Sequence, residues 1–236
     1  MNSDFVKFAE DLGANPNLST ADAFDAYINV GQKTTTLITL RGLNLIQSAL
    51  KLATRAHIGQ TRNDGSTPYI THPLAVAMIV SEAYSKYMGS RGSHDQRVRL
   101  IAAGILHDVL EDCDVHPIEL LDALEGHQEV YGTINALTNP PKRGATNRAD
   151  RVRYLAWKAA NCYSEDAAMV KIADRWHNLA CFVAENDPFF VQYAKETLLV
   201  FENYLYFQGP GREGGGVRMA RDLIAWIYGK LGERYA

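Results

Sequence analysis

The chain has 236 residues, a formal net charge of −3, 47% hydrophobic residues and 22% charged residues. These values are typical of a folded globular protein and exclude a disordered or low-complexity chain. The near-neutral charge argues against sequence-independent nucleic-acid binding, which requires a concentrated basic surface.

The three cysteines of the chain are widely spaced, at Cys113, Cys162 and Cys181. Because they form no C-x-x-C pair, neither a disulfide framework nor a structural zinc knuckle is expected. The N-terminus has no basic stretch followed by an apolar one, so it does not read as a signal peptide. No run of about 18 apolar residues occurs, which predicts no membrane-spanning helix. We therefore expect a cytoplasmic protein that does not bind membranes.

Hydrophobic spacing predicts helices from the first residues onward. Residues 1–36 are expected to form an N-terminal helical extension. Residues 43–57 have apolar side chains at intervals of three and four, which indicates an amphipathic helix. Turn residues follow at Asn63-Asp64-Gly65, and Pro73 is placed to open a helix over residues 74–84.

The remainder of the chain continues the helical pattern. Further helices are predicted over residues 98–112, 115–125, 128–137, 150–161, 165–185, 189–204 and 217–229. No strand-like alternation of apolar and polar residues is convincing. The predicted class is therefore all-α, with one helical bundle domain of about ten helices over residues 37–236, after the extension.

The predicted helix over residues 98–112 is apolar on most sides but ends in ionisable residues. On a continuous helix, His107, Asp108, Glu111 and Asp112 fall within one arc of roughly 140°. Buried ionisable groups are costly unless they are paired or bind a metal, and a His-Asp pair offers ligands that suit Mn, Fe or Zn. The alternative is a helix end whose acidic tip is solvated.

Two distant residues are candidates to complete a metal site. Asp174 is a carboxylate on a mostly apolar amphipathic helix, and His72 precedes a proline at a rigid loop-to-helix junction. Together with His107 and Asp108, they would supply two nitrogen and two oxygen ligands. Such a set leaves coordination positions for water and phosphate.

Three ordered blocks of the sequence are similar to one known family. They are AHIGQTR through PYITHPLAVA (residues 56–77), LHDVLED (106–112) and VKIADRWHNL (170–179). The chain resembles the metal-dependent HD phosphohydrolases, specifically the alarmone (ppGpp) hydrolase domains of the RelA/SpoT type in their stand-alone form. The resemblance covers roughly residues 40–205 and implies an HD-type helical bundle.

The resemblance also implies roles for individual residues. The family's metal ligands match His72, His107, Asp108 and Asp174, with Mn²⁺ as the usual ion or another divalent transition metal in its place. Glu111 and Asp112 match the pair that positions and activates water. Arg62 matches the residue that stacks on the nucleotide base, and Asn178 matches a residue that lines the nucleotide pocket.

The implied activity is Mn²⁺-dependent hydrolysis of the 3′-pyrophosphate of (p)ppGpp to GDP or GTP and pyrophosphate, with a small nucleotide as the partner. Asn63 stands where the family often has lysine, so ppApp, NADPH or another nucleotide stays open as the substrate. A non-catalytic nucleotide-binding or antitoxin-like module is a further alternative, against which the intact Glu111-Asp112 pair argues.

A basic cluster in and after the proline-rich loop is a candidate contact for the pyrophosphate groups. It consists of Lys142, Arg143, Arg148, Arg151 and Arg153. The alternative is a solvated loop and helix face.

Overall fold

The computed structural model describes residues 40–89, 92–139, 147–182 and 188–232. Ten helices occupy these ranges, and the bridge between Thr61 and Pro68 is their one isolated β-bridge. The helices are α1 (Leu40–Ala56), α2 (Thr71–Tyr87), α3 (His94–Leu106), α4 (Val109–Asp112), α5 (Pro117–Ala123), α6 (Gln128–Leu137), α7 (Arg148–Cys162), α8 (Glu165–Ala180), α9 (Pro188–Gln208) and α10 (Gly215–Gly232). The predicted all-α class is confirmed. The predicted extension over residues 1–36 lies outside the described residues.

The helices are arranged around α3 and α8. Helix α3 packs against α1 and α2, helix α8 packs against α2 and α10, and α7 runs along α9. Twelve of the 16 residues of α8 are buried, so this helix is enclosed on nearly all sides. None of the described helices is both long enough and apolar enough to cross a lipid bilayer.

Side-chain caps start several of these helices where the sequence provides Ser or Asn. The first helical turns of α3, α7 and α8 donate a backbone N–H to Ser93, Asn147 and Ser164, respectively, at 3.1, 2.9 and 3.2 Å. The predicted helix over residues 165–185 is too long, because α8 ends at Ala180. There the N–H of Cys181 is shared between two carbonyl oxygens of the last turn, which closes the helix.

The prediction of one continuous helix over residues 98–112 is wrong. Helix α3 ends at Leu106, and a new short helix, α4, begins at Val109. The backbone of Asp108, with φ −104° and ψ −7°, departs from helical values and starts a new turn by accepting the N–H groups of Glu111 and Asp112. In an unbroken helix, the side chains of consecutive residues point about 100° apart. At this break the side chains of His107 and Asp108 meet, with Nε2 and Oδ2 2.9 Å apart.

A close approach between α2 and α3 fixes the distance between two parts of the site. A Cβ atom added at Gly104 of α3 would lie 2.9 Å from the Cα and 3.1 Å from the backbone nitrogen of Ala77 in α2. The obstacle is backbone, which cannot rotate away as a side chain can. Glycine therefore lets the helices that carry His72 and His107 approach each other.

We expect Gly104→Ala to lower the free energy of unfolding by about 1–2 kcal/mol, because the overpacking cost exceeds the gain of about 1 kcal/mol in helix propensity. The matched control is Gly132→Ala in α6, where an added Cβ meets nothing within 4 Å. That variant should gain up to about 1 kcal/mol. Urea denaturation of both variants measures the difference, and equal stabilities would contradict the close approach.

Candidate metal centre and active site

A tight turn before α2 presents Arg62. The carboxylate of Asp64 accepts the N–H groups of Ser66 and Thr67, each at 2.8 Å, and the Thr67 hydroxyl at 2.5 Å. These hydrogen bonds lower the pKa of Asp64 to about 2. Gly65 adopts φ +73°, a conformation that favours glycine. The turn predicted at residues 63–65 is thus confirmed, and it closes through the Arg62 N–H to the carbonyl of Thr67 at 2.8 Å.

His72 lies in the first turn of α2, where its backbone N–H donates to the carbonyl of Tyr69 at 2.9 Å. The side chain is 1% exposed. Its Nε2 atom is 3.2 Å from Asp174 Oδ1 and 3.6 Å from Asp108 Oδ2. A helix start beside a proline therefore directs this imidazole at two carboxylates from other helices.

His107 and Asp108 occupy the break between α3 and α4. His107 Nδ1–H donates to the carbonyl of Gly104 at 2.8 Å, so in the neutral imidazole Nε2 carries a lone pair and no hydrogen atom. Nε2 is buried and finds no well-aligned hydrogen-bond partner among the described residues, although Asp108 Oδ2 is only 2.9 Å away. A nitrogen lone pair and a carboxylate oxygen this close repel each other unless a proton or a metal cation lies between them.

Asp174 reaches the same place from the buried helix α8. Its Oδ2 is 2.7 Å from the ammonium of Lys171, one turn earlier, and its Oδ1 accepts from Asn178 Nδ2 at 2.7 Å. Oδ1 is also 3.9 Å from His107 Nε2. Ligand atoms of Asp174, His72 and His107 lie within 4.8 Å of one another. The structure thus brings together all four predicted ligand residues, with Asp108 beside both histidines.

This donor set fits a divalent transition metal. Two imidazole nitrogens and two carboxylate oxygens are the ligands that Mn, Fe and Zn accept in proteins. The unsatisfied nitrogen of His107 is consistent with a cation at this point, since a buried polar atom normally has a partner. The four residues come from three segments separated by up to about a hundred residues, so tertiary folding alone assembles the cluster.

The charges around the cluster prepare the donors for a cation. Burial opposes ionisation of Asp108, yet the adjacent His107 holds its pKa below the ordinary value. Burial likewise opposes ionisation of Asp174, but Lys171 and then His72 hold its pKa well below the ordinary range. Burial lowers the pKa of His72. Both carboxylates are therefore ionised and His72 is neutral near pH 7, the states in which they bind metals.

Glu111 and Asp112, the predicted water-activating pair, lie on α4 at the edge of the cluster, and both are exposed. Asn139 donates to the Glu111 carboxylate from its backbone N–H at 3.3 Å and from Nδ2 at 3.2 Å. Asp112 Oδ2 is 3.4 Å from the Tyr69 hydroxyl. Partial loss of solvation, and then the charges of Asp108 and Glu111, raise the pKa of Asp112. A carboxylate of raised pKa is a better proton acceptor near neutral pH.

Arg62 and Asn178, which the resemblance assigns to the nucleotide, are in direct contact. Arg62 Nη2 donates to Asn178 Oδ1 at 2.8 Å, and the guanidinium carbon lies 5.7 Å from the centroid of the Tyr69 ring. Because Asn178 also donates to Asp174, a continuous chain of hydrogen bonds joins Arg62 to the metal cluster. A ligand touching Arg62 would therefore lie next to the proposed metal position.

The sequence alone assigns no site function to Tyr69, Lys171 or His177. The Tyr69 hydroxyl donates to Asp108 Oδ2 at 2.7 Å, and Lys171 pairs with Asp174. His177 Nδ1 is 2.8 Å from His72 Nδ1. Helix spacing could have indicated Lys171, three residues before Asp174, but the other two contacts join segments distant in the chain.

The basic cluster is only partly described. Lys142 and Arg143 lie outside the described residues. Arg148 forms hydrogen bonds to Glu196 at 2.6 and 3.1 Å, and Arg153 pairs with Asp150 at 3.1 Å. Both arginines therefore already pair with carboxylates of the same chain. Their role as pyrophosphate contacts stays a prediction.

Comparisons with known proteins identify similar sequences over the region that contains these residues. The family model described as HD domain matches residues 49–203, which is more than half of the chain and includes every predicted site residue. A protein of Oryza sativa subsp. japonica, named as a chloroplastic GTP diphosphokinase, is 33% identical over 81% of this chain and 20% of its own length.

Bacterial relatives carry related names. A guanosine-3′,5′-bis(diphosphate) 3′-pyrophosphohydrolase of Vibrio cholerae is 29% identical over 75% of this chain and 23% of its own length. A GTP pyrophosphokinase of Streptomyces coelicolor is 31% identical over 58% of this chain and 14% of its own length. This chain spans less than a quarter of each of these relatives. The matched region coincides with the helices that build the His and Asp cluster, and the chain belongs to the HD-domain family.

Proposed function

We propose that the protein is a metal-dependent hydrolase that removes the 3′-pyrophosphate of (p)ppGpp, releasing pyrophosphate and GDP or GTP. The observation that carries this proposal is the convergence of two imidazole nitrogens and two buried carboxylates beside the acidic pair Glu111 and Asp112. The relative named as a guanosine-3′,5′-bis(diphosphate) 3′-pyrophosphohydrolase supports the choice of substrate. The absence of a disulfide among the three cysteines, all of which the structure describes, supports a reducing compartment such as the cytoplasm.

The metal is proposed to be Mn²⁺, held by the four residues of the cluster, His72, His107, Asp108 and Asp174. When bound, such an ion lowers the pKa of water and neutralises charge on a phosphoryl group. The residues of the chain supply the rest of the arrangement. Lys171 keeps Asp174 ionised, and the Tyr69 hydroxyl fixes the direction of the Asp108 carboxylate.

Glu111 and Asp112 are proposed to orient the attacking water and accept its proton. The water oxygen forms a bond to the phosphorus attached to the ribose 3′ oxygen, and the bond between that phosphorus and the ribose oxygen breaks. The proton taken from water is available to the departing ribose oxygen, so one water molecule is divided between pyrophosphate and the nucleotide. Asn139, which donates twice to Glu111, keeps that carboxylate in place until water binds.

Arg62 and Asn178 are proposed to contact the nucleotide. A guanidinium is planar and stacks on aromatic rings, and a purine base offers such a surface. Arg62 already lies near the Tyr69 ring and bonds to Asn178, which limits its movement. The neighbouring Asn63 is exposed. It places an uncharged side chain next to Arg62, where the family often has lysine.

The deciding experiment is a substrate panel of ppGpp, ppApp and NADPH, each incubated with the protein and Mn²⁺ and again with chelator added. We expect ppGpp to give GDP and pyrophosphate with Mn²⁺ and no product with chelator. Hydrolysis of ppApp or NADPH but not of ppGpp would assign a different substrate to the same centre. Binding of ppGpp without release of pyrophosphate would contradict hydrolysis and favour a regulatory nucleotide-binding module.

A further inference from the structure

A second histidine lies directly behind the first metal-ligand candidate. His72 Nδ1 and His177 Nδ1 are 2.8 Å apart, and the ring centroids are 4.9 Å apart. Both residues are almost completely buried, with 1% and 2% exposure, so no water competes for this contact. Because one nitrogen must donate and the other accept, the contact couples the position of the hydrogen atom on one ring to its position on the other.

The hydrogen positions differ between a His72 that binds a cation and one that does not. Without a cation, His72 Nε2–H donates to Asp174 Oδ1, 3.2 Å away, and Nδ1 accepts from His177 Nδ1–H. With a cation on Nε2, that nitrogen carries no hydrogen, so Nδ1–H must donate to His177 Nδ1. The imidazole of His177 can take either part, because a neutral imidazole donates at one nitrogen and accepts at the other.

Cys181 completes the second arrangement. When His177 Nδ1 accepts, its hydrogen lies on Nε2, which is 3.5 Å from Cys181 Sγ. The sulfur is a weak acceptor at a suitable distance. Asp174 and His177 lie three residues apart on α8, and Cys181 follows four residues later, directly after the end of the helix.

A side chain that cannot both donate and accept does not serve both arrangements. Alanine at position 177 would leave the Nδ1–H of a metal-bound His72 buried without an acceptor, which would weaken metal binding. An amide oxygen in the place of Nδ1 would accept but not donate. Phenylalanine would fill the volume and do neither.

We infer that His177 is a positioning residue for the metal centre: it fixes the ring of His72 and supplies the acceptor that His72 needs when its Nε2 binds a cation. The inference rests on the proposed function, because it takes His72 as a metal ligand. His177 itself contacts neither the substrate nor the ion.

The test measures the dissociation constant of the whole protein for Mn²⁺ alone, by competition with a chromophoric chelator. We expect His177→Ala and His177→Phe to bind Mn²⁺ about 10–100-fold more weakly, the usual effect of removing a partner behind a metal ligand. His177→Asn, whose amide oxygen can accept from His72 Nδ1–H, should recover most of the affinity. Cys181→Ala should have the smaller effect, because it removes only a weak acceptor, 3.5 Å from His177 Nε2.

The Phe and Asn variants separate hydrogen bonding from packing. If His177 only fills space, the Phe variant keeps the affinity and the Asn variant loses it, which would overturn the inference. Thermal unfolding of each variant without metal shows whether the fold is retained, and comparison is restricted to folded variants. Asp174→Asn serves as the ligand control. If the parent protein and Asp174→Asn bind Mn²⁺ equally poorly, the proposed metal centre fails, whereas equal binding by the parent and both Ala and Phe variants refutes only the role of His177.

Discussion

Replacing Glu111 with glutamine should abolish most of the hydrolysis and leave metal binding intact. Glu111 is exposed at the edge of the cluster and is held by Asn139, and it is not one of the four converging residues. Glutamine retains an oxygen that accepts from the Asn139 N–H but has no basicity. Because a positioned general base contributes about 10²–10⁴ in rate, we expect a decrease of that size in the turnover of ppGpp.

The measurement combines pyrophosphate release with a Mn²⁺ titration of the same protein preparation. Glu129→Gln is the matched control, since Glu129 is an exposed glutamate on α6 whose substitution removes the same charge. The control should keep the parent rate. A Glu111→Gln variant that released pyrophosphate as fast as the parent would remove Glu111 from the mechanism and leave Asp112, with its raised pKa, as the acceptor.

The helical class of the fold was accessible from the sequence because the apolar spacing is a local property. Helices α1, α2 and α6 begin and end within a few residues of their predicted bounds. The break at His107 and Asp108 was not accessible, since neither residue opposes helix formation strongly. The break depends on contacts from elsewhere: Tyr69, 39 residues earlier, donates to Asp108 and holds its carboxylate toward the cluster.

In the candidate site, too, the sequence indicated the residue types but not the contacts between distant segments. The residue types at positions 72, 107, 108 and 174 indicated metal chemistry, and the structure brings them together. The residues behind them could not be identified in this way. His177 was separated from His72 by 105 positions, and only the packing of α8 against α2 places the two rings in contact. A histidine in a helix can be a core residue as well as a site residue, so the residue type alone does not assign a role to His177.

The geometry of the three helices explains why the cluster is rigid. Helices α2 and α3 approach at Gly104, and Gly104 is also the residue whose carbonyl oxygen accepts from His107 Nδ1–H. Helix α8 is enclosed and holds Asp174 between Lys171 and Asn178. Each ligand candidate therefore has a partner that limits its rotation, which reduces the ordering cost of binding an ion.

The second large effect is expected at Asp108, whose replacement should remove metal binding and hydrolysis together. Its Oδ2 lies 2.9 Å from His107 Nε2 and 3.6 Å from His72 Nε2, so the carboxylate supplies negative charge beside two imidazole nitrogens. Without it, Asp174 is the single carboxylate left in the set, and Lys171 already offsets its charge. We expect the affinity for Mn²⁺ to fall by more than about 100-fold, beyond the usual effect of changing a residue behind a ligand.

Two substitutions at this position distinguish charge from shape. Asp108→Asn keeps an oxygen that can accept from the Tyr69 hydroxyl, whereas Asp108→Ala removes both the charge and that acceptor. Both should lose the metal if the carboxylate is a ligand. The exposed Asp114 provides the control Asp114→Asn, which removes a nearby charge outside the cluster and should behave as the parent.

Thermal unfolding with and without Mn²⁺ gives a readout that does not depend on turnover. A ligand at 100 times its dissociation constant stabilises the folded state by about 2.7 kcal/mol, so the parent should unfold at a higher temperature with Mn²⁺ present. Both Asp108 variants should show no such shift, and Asp114→Asn should show the full shift. If Asp108→Asn retained the shift and only Asp108→Ala lost it, the residue would act through its hydrogen bond to Tyr69, and the ligand set would have to be reduced to His72, His107 and Asp174.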